Sequence, residues 1–287
     1  EDVDALVDGE FDPKQIVNKI YNFAKEKIKW NGYLGYYSEN GIKEAYKVGS
    51  GNVGDINLLL IAMLRYKNID ANPVLISTRE NGTPLFPTRD GFNYVAAAVS
   101  LGNDLILMDA TETFLPMGEL PIRAINWQGR LVKGDGTSEW VSLEHKNPSM
   151  KLIISNVSLN EDLSISGKAN KRLTNKIAYQ FRDDYGTRAL EEVIKYIQDD
   201  TPGLTVSNLD LKNVKNVTEP IGFSYDLKLD NATEKIGDKV YLSPLLNESN
   251  DENPFKLESR KLPVELGYPM STKTIVNLTL PEGYEVE

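Results

Sequence analysis

The chain has 287 residues, of which 40% are hydrophobic and 26% are charged, a globular composition long enough for two ordinary domains. Its net charge of −10 and the absence of a basic cluster exclude nucleic acid and anionic lipid as expected partners, because binders of either need clustered Lys and Arg. With no cysteine and one histidine, it lacks disulfides, a thiolate nucleophile and a His/Cys zinc site, which leaves only an all-oxygen cation site open. The acid- and Asn-rich segments "DNATEKIGDK" and "NESNDENPF" lack the acid spacing of a calcium loop, so we expect no metal and no cofactor.

The N-terminal part is predicted to contain three helices. Asp12 is a capping acid followed by proline, and apolar residues then recur at helical spacing, which predicts a helix from Asp12 to about Lys29. A short helix is expected at residues 42–47. A central buried helix is expected from Asp55 to about Tyr66, and its apolar run from Leu58 to Leu64 is too short for membrane insertion, which needs about 20 residues.

Between the first two helices lies "WNGYLGYYSENG", a glycine-rich stretch without helical or strand periodicity, which predicts a loop. Its aromatic residues are Trp30, Tyr33, Tyr36 and Tyr37. Aromatic side chains in such a loop can stack on a sugar ring or a peptide side chain, or they can pack locally over the adjoining helix. These four residues are therefore candidates for binding.

From Asn72 onward, short apolar runs are separated by Gly, Asn, Asp and Pro, which predicts strands. They are "NPVLIST", "FNYVAAAVSL", "NDLILMDAT", "PIRAINW", "GRLVKG" and "EWVSLE". Helices followed by a sheet indicate an α+β domain. The polar segment "EHKNPSM", which holds His145, marks the expected boundary between a domain at 1–147 and a second at 148–287; we expect His145 to be a surface residue.

The second part alternates apolar and polar residues in segments such as "KLIISNVSL", "GLTVSNLDLKNV" and "IGFSYDLKL". One helical pattern interrupts them, with Leu190, Val193, Ile194 and Ile197 on one face. The sequence therefore predicts a mostly antiparallel, β-sandwich-like domain with one helix.

The stretch from Gly51 to Arg65, continued by "NPVLISTR", "FNYV" and "LILMDAT", resembles the transglutaminase-like superfamily, whose core is papain-like. In that family a glycine precedes the catalytic cysteine by two residues, an acid follows it by two, and an arginine follows it by twelve. In this chain these positions are Gly51, Asp55 and Arg65, and the cysteine position holds Val53. The resemblance implies helices plus an antiparallel sheet.

The resemblance places Tyr94 at the family's histidine and Asp109 at the aspartate of the triad. Valine is not a nucleophile, and a tyrosine of pKa about 10 is rarely a base at neutral pH. Ser50, although close to Val53, has no nearby histidine in the sequence to activate it. We therefore expect no papain-type catalysis.

Each remaining candidate also has a structural interpretation. Asp55 and Tyr94 are further binding candidates, Asp55 as a remnant acid of a binding site. Asp55 also favours the start of a helix, and Asp109 is suited to accepting hydrogen bonds from the turn after its strand. Tyr94 fits a core position with its hydroxyl reaching Asp109 or a water. The enzymatic alternative is a carboxylate mechanism that uses Asp55 and Asp109, which would need both acids in one cleft with separated pKa values.

The same segments look like a bacterial branch of the superfamily, in which the core lies between β-rich domains of unassigned function. This resemblance implies an inactive transglutaminase-like domain in a larger exported protein, periplasmic or extracellular. It would bind a peptide or glycan or act as a scaffold for adjacent domains of the same chain. The alternative is an active hydrolase or acyltransferase with a non-cysteine mechanism.

Overall fold

The computed structural model describes residues 1–86, 88, 90–144, 147–199, 201–230, 232–248, 253, 255–256, 258–261 and 264–287. The chain divides into two compact units, an N-terminal unit from Glu1 to Lys146 and a C-terminal unit from Asn147 to Glu287. His145 lies outside the described residues. Among the described residues, every helix falls short of the length and hydrophobicity that a membrane span requires.

The N-terminal unit begins with helices. They are α1 (Asp2–Leu6), α2 (Pro13–Lys27), α3 (Ile42–Val48) and α4 (Val53–Tyr66). Helix α2 begins as its sequence predicts, because the Asp12 side chain accepts a hydrogen bond from the Lys14 N–H and proline occupies the first turn. It ends at Lys27, since Ile28 is extended and leads into a short strand.

Helix α4 begins at Val53, two residues before the predicted start. Asn52 is its N-cap, accepting a hydrogen bond from the Asp55 N–H at 2.7 Å, while the Asp55 carboxylate accepts one from the Asn52 N–H at 3.0 Å. This reciprocal capping box satisfies two N–H groups that a helix start otherwise leaves unpaired. Asp55 is thus the third residue of the helix rather than its cap.

A five-stranded antiparallel sheet completes the N-terminal unit, in the order β5-β4-β3-β6-β7. The strands of this unit are β1 (Lys29–Trp30), β2 (Ser50–Gly51), β3 (Ala71–Ile76), β4 (Tyr94–Leu101), β5 (Asp104–Met108), β6 (Gln128–Val132) and β7 (Ser138–Ser142). Strands β1 and β2 form a short parallel pair beside the start of α4. Helix α4 packs against β3 and β4, so its start lies near Tyr94.

The segment "PIRAINW" is not the strand that its sequence predicts. Residues Ile122–Ala124 form a 3-10 turn, with hydrogen bonds from the Ala124 N–H to the Pro121 carbonyl and from the Ile125 N–H to the Ile122 carbonyl. Local bonds three residues apart replace the cross-strand bonds of a sheet. The turn presents Arg123 to the interior of the unit, as described below.

The C-terminal unit is built on a second five-stranded sheet, in the order β10-β11-β9-β8-β14. Its strands, together with a separate hairpin of β12 and β13, are β8 (Ser149–Leu159), β9 (Ile165–Leu173), β10 (Leu204–Lys212), β11 (Ile221–Leu229), β12 (Thr233–Ile236), β13 (Lys239–Leu242) and β14 (Met270–Thr279). Only β14 pairs in parallel, with β8; the other pairs described in this sheet are antiparallel. The predicted β-rich character is confirmed.

Two helices, rather than the one predicted, occur among the described residues of this unit: α5 (Asn175–Tyr185) and α6 (Leu190–Gln198). Phe181 of α5 and Val193 of α6 share a hydrophobic core with the sheet. The helices cover a face that the sandwich interpretation assigns to a second sheet. Helix α5 was not predicted from the sequence; Thr174 is its N-cap residue, although the Thr174 side chain makes no capping hydrogen bond.

Candidate functional site

The nucleophile position implied by the sequence resemblance is sealed inside the protein. Val53 is fully buried, and its side chain belongs to the same hydrophobic core as Tyr94. Its backbone N–H donates a hydrogen bond to the Tyr33 carbonyl at 3.3 Å. The first residue of α4 is therefore covered by the segment of residues 31–38, called here the tyrosine loop.

Close backbone contacts hold the tyrosine loop against the start of α4. A Cβ atom added to Gly54 would lie 2.1 Å from the Tyr37 carbonyl oxygen, so only glycine permits this approach. Asn52 Nδ2 donates to the same carbonyl at 3.0 Å, and the Ser38 hydroxyl donates to the Asp55 carboxylate. The loop and the helix start thus form one hydrogen-bonded assembly.

The four aromatic candidates divide into an inner and an outer pair. Trp30 and Tyr36 are partly buried against the core, and the Trp30 indole N–H donates to the Tyr33 carbonyl at 2.9 Å. Tyr33 and Tyr37 are 69% and 59% exposed. The Tyr36 and Tyr37 rings lie 4.0 Å apart. Only the outer pair offers substantial aromatic surface to a partner.

Tyr94 and Asp109 meet in the interior. The Tyr94 hydroxyl donates to Asp109 Oδ2 at 2.5 Å, the bond that the core interpretation of Tyr94 anticipates. Burial, and then the nearby negative charge of Asp109, raise the pKa of Tyr94 well above its ordinary value. Tyr94 therefore stays protonated and acts as a donor to Asp109, not as a base.

The other oxygen of Asp109 is also occupied. Oδ1 accepts from the Thr111 N–H at 2.9 Å, from the Thr111 hydroxyl at 2.7 Å and from Asn57 Nδ2 at 3.2 Å. Asn57, on α4, further donates to the Val95 carbonyl and accepts from the Ala110 N–H. With four donors and no exposure, the Asp109 carboxylate has the environment of a structural anchor.

Arg123 was not predicted as a site residue from the sequence. Its Nε and Nη2 donate to the Tyr94 hydroxyl at 3.2 and 3.1 Å, and Nη2 also donates to the Thr111 hydroxyl at 2.7 Å. Nη1 pairs with Glu112 Oε1 at 2.5 Å, and the guanidinium lies 4.2 Å from the centre of the Trp30 ring. The sequence held one indication of this role: a single arginine within the apolar segment "PIRAINW" suggests a partly buried charge that is paired.

Tyr94, Asp109, Thr111, Glu112 and Arg123 are called here the Arg123 cluster. Burial lowers the pKa of Arg123, but its anionic and hydroxyl neighbours raise it by more, so the guanidinium remains charged. A permanent cation thus adjoins Tyr94, at the place where the family has its histidine. Unlike imidazole, guanidinium offers only donors and does not exchange a proton at physiological pH.

Helix α2 fixes the segment that follows Asp109. The Tyr21 hydroxyl lies 2.9 Å from the Asp109 carbonyl and 3.0 Å from the Leu115 carbonyl. Lys25 Nζ donates to the Leu115 and Thr113 carbonyls, and burial lowers its pKa to about 8. These bonds position Thr111 and Glu112 for Arg123. Among the described residues, no three His, Cys, Asp or Glu side chains are grouped to hold a metal ion.

Comparison with known families supports the resemblance of the N-terminal unit to the transglutaminase-like superfamily. The transglutaminase-like superfamily matches residues 3–110, so this part of the chain is a transglutaminase-like domain. Residues 238–287 match a domain of unknown function that has a solved structure, DUF3858. No curated protein matches the chain.

One solved structure, from Parabacteroides distasonis and described as a "putative protease", aligns with 80% of this chain at 11% sequence identity and a TM-score of 0.40. The alignment covers 48% of that protein, so the chain spans about half its length.

Proposed function

Because residues 3–110 form a transglutaminase-like domain, we propose that this domain is catalytically inactive and serves as a structural part of a larger exported bacterial protein. The burial of Val53 beneath the tyrosine loop carries the proposal. A substrate carbonyl must approach the nucleophile position to within bonding distance, and here backbone and core side chains occupy that space.

The charges of the Arg123 cluster also argue against acyl transfer. Papain-type chemistry needs a thiolate, a base that takes up and returns a proton, and a carboxylate that orients the base. The chain has no cysteine. Tyr94 holds its proton, and Arg123 holds its charge, so neither group next to Asp109 can act as the base.

The alternative carboxylate mechanism is disfavoured by the surroundings of its two acids. Asp55 and Asp109 are both buried, and each is occupied by donors from the protein: Asn52 and Ser38 for Asp55, and the groups described above for Asp109. A general acid or base needs an oxygen within reach of the substrate. The contacts of both residues support structural roles.

Binding of a peptide or glycan is the second candidate function, and the exposure of Tyr33 and Tyr37 favours it. Their rings offer apolar faces held on a hydrogen-bonded loop, which lowers the entropy cost of ordering the contact. Asp55 and Tyr94 are buried, so they would not contact such a partner directly and would affect binding only through the structure around the loop.

Export and flanking domains follow from the sequence resemblance. A signal peptide encoded at the start of the full-length gene would support export, and a gene without one would contradict it. Adjacent domains of the same chain would then be the partners of the structural domain.

The proposed inactivity is tested by assaying the purified protein for amine incorporation into glutamine substrates and for proteolysis. We expect rates no higher than those of the buffer. Turnover that is abolished in a folded Asp109→Asn variant would contradict inactivity. Turnover that persists in this variant would not depend on Asp109. An inhibitor profile of the purified preparation would then show whether a contaminating enzyme is responsible.

The double variant Val53→Cys, Tyr94→His tests whether the groove itself is closed. We expect at most a trace of activity, because the tyrosine loop covers position 53 and Arg123 adjoins position 94. Robust turnover by the double variant would show that substrates reach this position, and would contradict a sealed site.

A further inference from the structure

The C-terminal unit contains a cavity of about 390 Å³, within the size range of small-molecule sites. Residues of α5, α6, strands β8, β9 and β11, and the 3-10 turn Leu246–Glu248 line it. Among the described residues, all those that line it belong to the C-terminal unit. Its lining divides into an aromatic part and a charged part.

The aromatic part consists of four rings in mutual contact. Phe181 and Tyr185 stack with their centres 5.4 Å apart, Tyr185 and Tyr196 lie 4.5 Å apart, and Phe223 meets Phe181 edge-on at 4.8 Å. Tyr196 is 48% exposed, whereas Phe181 and Phe223 are buried. The cavity therefore has an apolar aromatic base and a tyrosine at its rim.

The charged part centres on Glu248. Its Oε1 accepts from Lys171 Nζ at 2.6 Å and its Oε2 from Lys151 Nζ at 3.0 Å; these three residues are called here the Glu248 cluster. Burial raises the pKa of Glu248, but the two lysines lower it by more, so the carboxylate stays ionised. Donors and an acceptor are thus held side by side at fixed positions.

The charges that line the cavity cancel. Lys151 and Lys171 carry two positive charges, and Asp184 and Glu248 carry two negative charges. A charged ligand would leave one of these groups without its partner in a partly desolvated place. A neutral ligand that both donates and accepts hydrogen bonds fits this balance.

We propose that this cavity binds a neutral carbohydrate, a mono- or disaccharide. The C–H face of a sugar ring packs on the aromatic part, while its hydroxyls donate to Glu248 or Asp184 and accept from the lysines. The site is separate from the tyrosine loop, so it is independent of the function proposed for the N-terminal domain.

Saturation-transfer NMR and calorimetry of the full 287-residue protein, with a panel of neutral mono- and disaccharides, test this proposal. We expect at least one sugar to bind, and its Kd to rise tenfold or more in Tyr196→Ala. The matched control Tyr241→Ala, at an exposed tyrosine of the β12–β13 hairpin, should leave the Kd unchanged. Tyr196 is half exposed, so its truncation is compatible with folding.

Three results would overturn the proposal: no neutral sugar binds, sugar phosphates or amino acids bind while neutral sugars do not, or Tyr196→Ala binds as tightly as the wild type. The variant Tyr33→Ala shows whether a sugar binds at the cavity or at the tyrosine loop. If that variant loses sugar binding and Tyr196→Ala retains it, the sugar binds the tyrosine loop, which supports the glycan function of the N-terminal domain and rejects this cavity.

Discussion

The Arg123 cluster and the Glu248 cluster both hold charged side chains in partly buried surroundings, but the surroundings differ. The Arg123 guanidinium is surrounded by two hydroxyls, the Glu112 carboxylate and the Trp30 ring, and its side chain is 26% exposed. Glu248 accepts from two lysines, of which Lys151 is 35% exposed, and all three line a cavity. We call the Arg123 cluster closed, because protein groups surround its cation, and the Glu248 cluster open, because its three residues line a cavity.

The difference separates two ways of holding charged groups inside a folded domain. In a closed cluster each polar group depends on the others, so losing one leaves its neighbours buried and unpaired. In an open cluster water or a ligand can replace a missing partner. Stability is thus expected to depend on the first cluster, and binding on the second.

The largest expected effect is that of Arg123→Met. The substitution keeps most of the side chain's length but removes the guanidinium that pairs with Glu112 and donates to the Tyr94 and Thr111 hydroxyls. We expect the free energy of unfolding, measured in urea, to fall by about 3 kcal/mol. The control Arg130→Met removes an arginine that bonds Ser138 at the surface and should cost less than about 1 kcal/mol. Equal losses in the two variants would mean that the Arg123 cluster is not closed.

Gly54→Ala tests the seal above Val53. The added methyl group would overlap the Tyr37 carbonyl, so the tyrosine loop must move, at a cost of about 1–3 kcal/mol in unfolding free energy. Limited proteolysis should then cut within residues 31–38. Gly134→Ala is the control, because an added methyl group meets no atom there. A loop that stays protected in Gly54→Ala would argue against a seal.

Tyr94→Phe sharpens the comparison through pH. Above pH 10 the unfolded chain loses the tyrosine proton while the folded protein keeps it, so the unfolded state binds fewer protons and the wild type loses stability as pH rises. The slope due to this residue is at most about 1.4 kcal/mol per pH unit. Urea titrations at pH 10 and 11 should show a smaller loss for Tyr94→Phe, and parallel losses would contradict the shifted pKa.

The smallest effect is expected for Lys151→Met in the open cluster. Glu248 keeps Lys171, and Lys151 is already in contact with solvent, so we expect a change of about 0–1 kcal/mol in urea unfolding. A loss as large as that of Arg123→Met would remove the distinction between the two clusters. Lys171→Met, at the more buried lysine, provides the internal reference and should cost more.

The sequence predicted those parts of the fold that depend on local signals. Asp12 followed by proline marked the start of α2, and apolar spacing located α4. The start of α4 was placed at Asp55 because Asn52 and Asp55 are both good capping residues, and only the structure shows them acting as a pair. The 3-10 turn at Ile122–Ala124 was mistaken for a strand because apolar runs do not distinguish short elements.

The candidate site, like the fold, was predictable only where neighbouring segments of the sequence or the family resemblance indicated a contact. The Tyr94–Asp109 bond joins residues on or just after neighbouring strands, and resemblance had already aligned both with a catalytic pair. Arg123 lies 29 residues from Tyr94, and its partners come from separate segments, so no local pattern connects them. The buried Arg182 of α5 has partners of the same kind: it donates to carbonyls of a loop at residues 213–219, far along the chain.

The seal above position 53 also bears on how a thiol would behave there. At an open helix start the unpaired N–H groups stabilise a thiolate and make cysteine reactive. Here the Val53 N–H already serves the Tyr33 carbonyl, and Asp55 places a carboxylate in the same turn. A cysteine introduced by Val53→Cys would have a raised pKa and would react slowly with iodoacetamide. The introduced cysteine would therefore stay unreactive until the tyrosine loop moved, so displacement of the loop must precede any chemistry at this position.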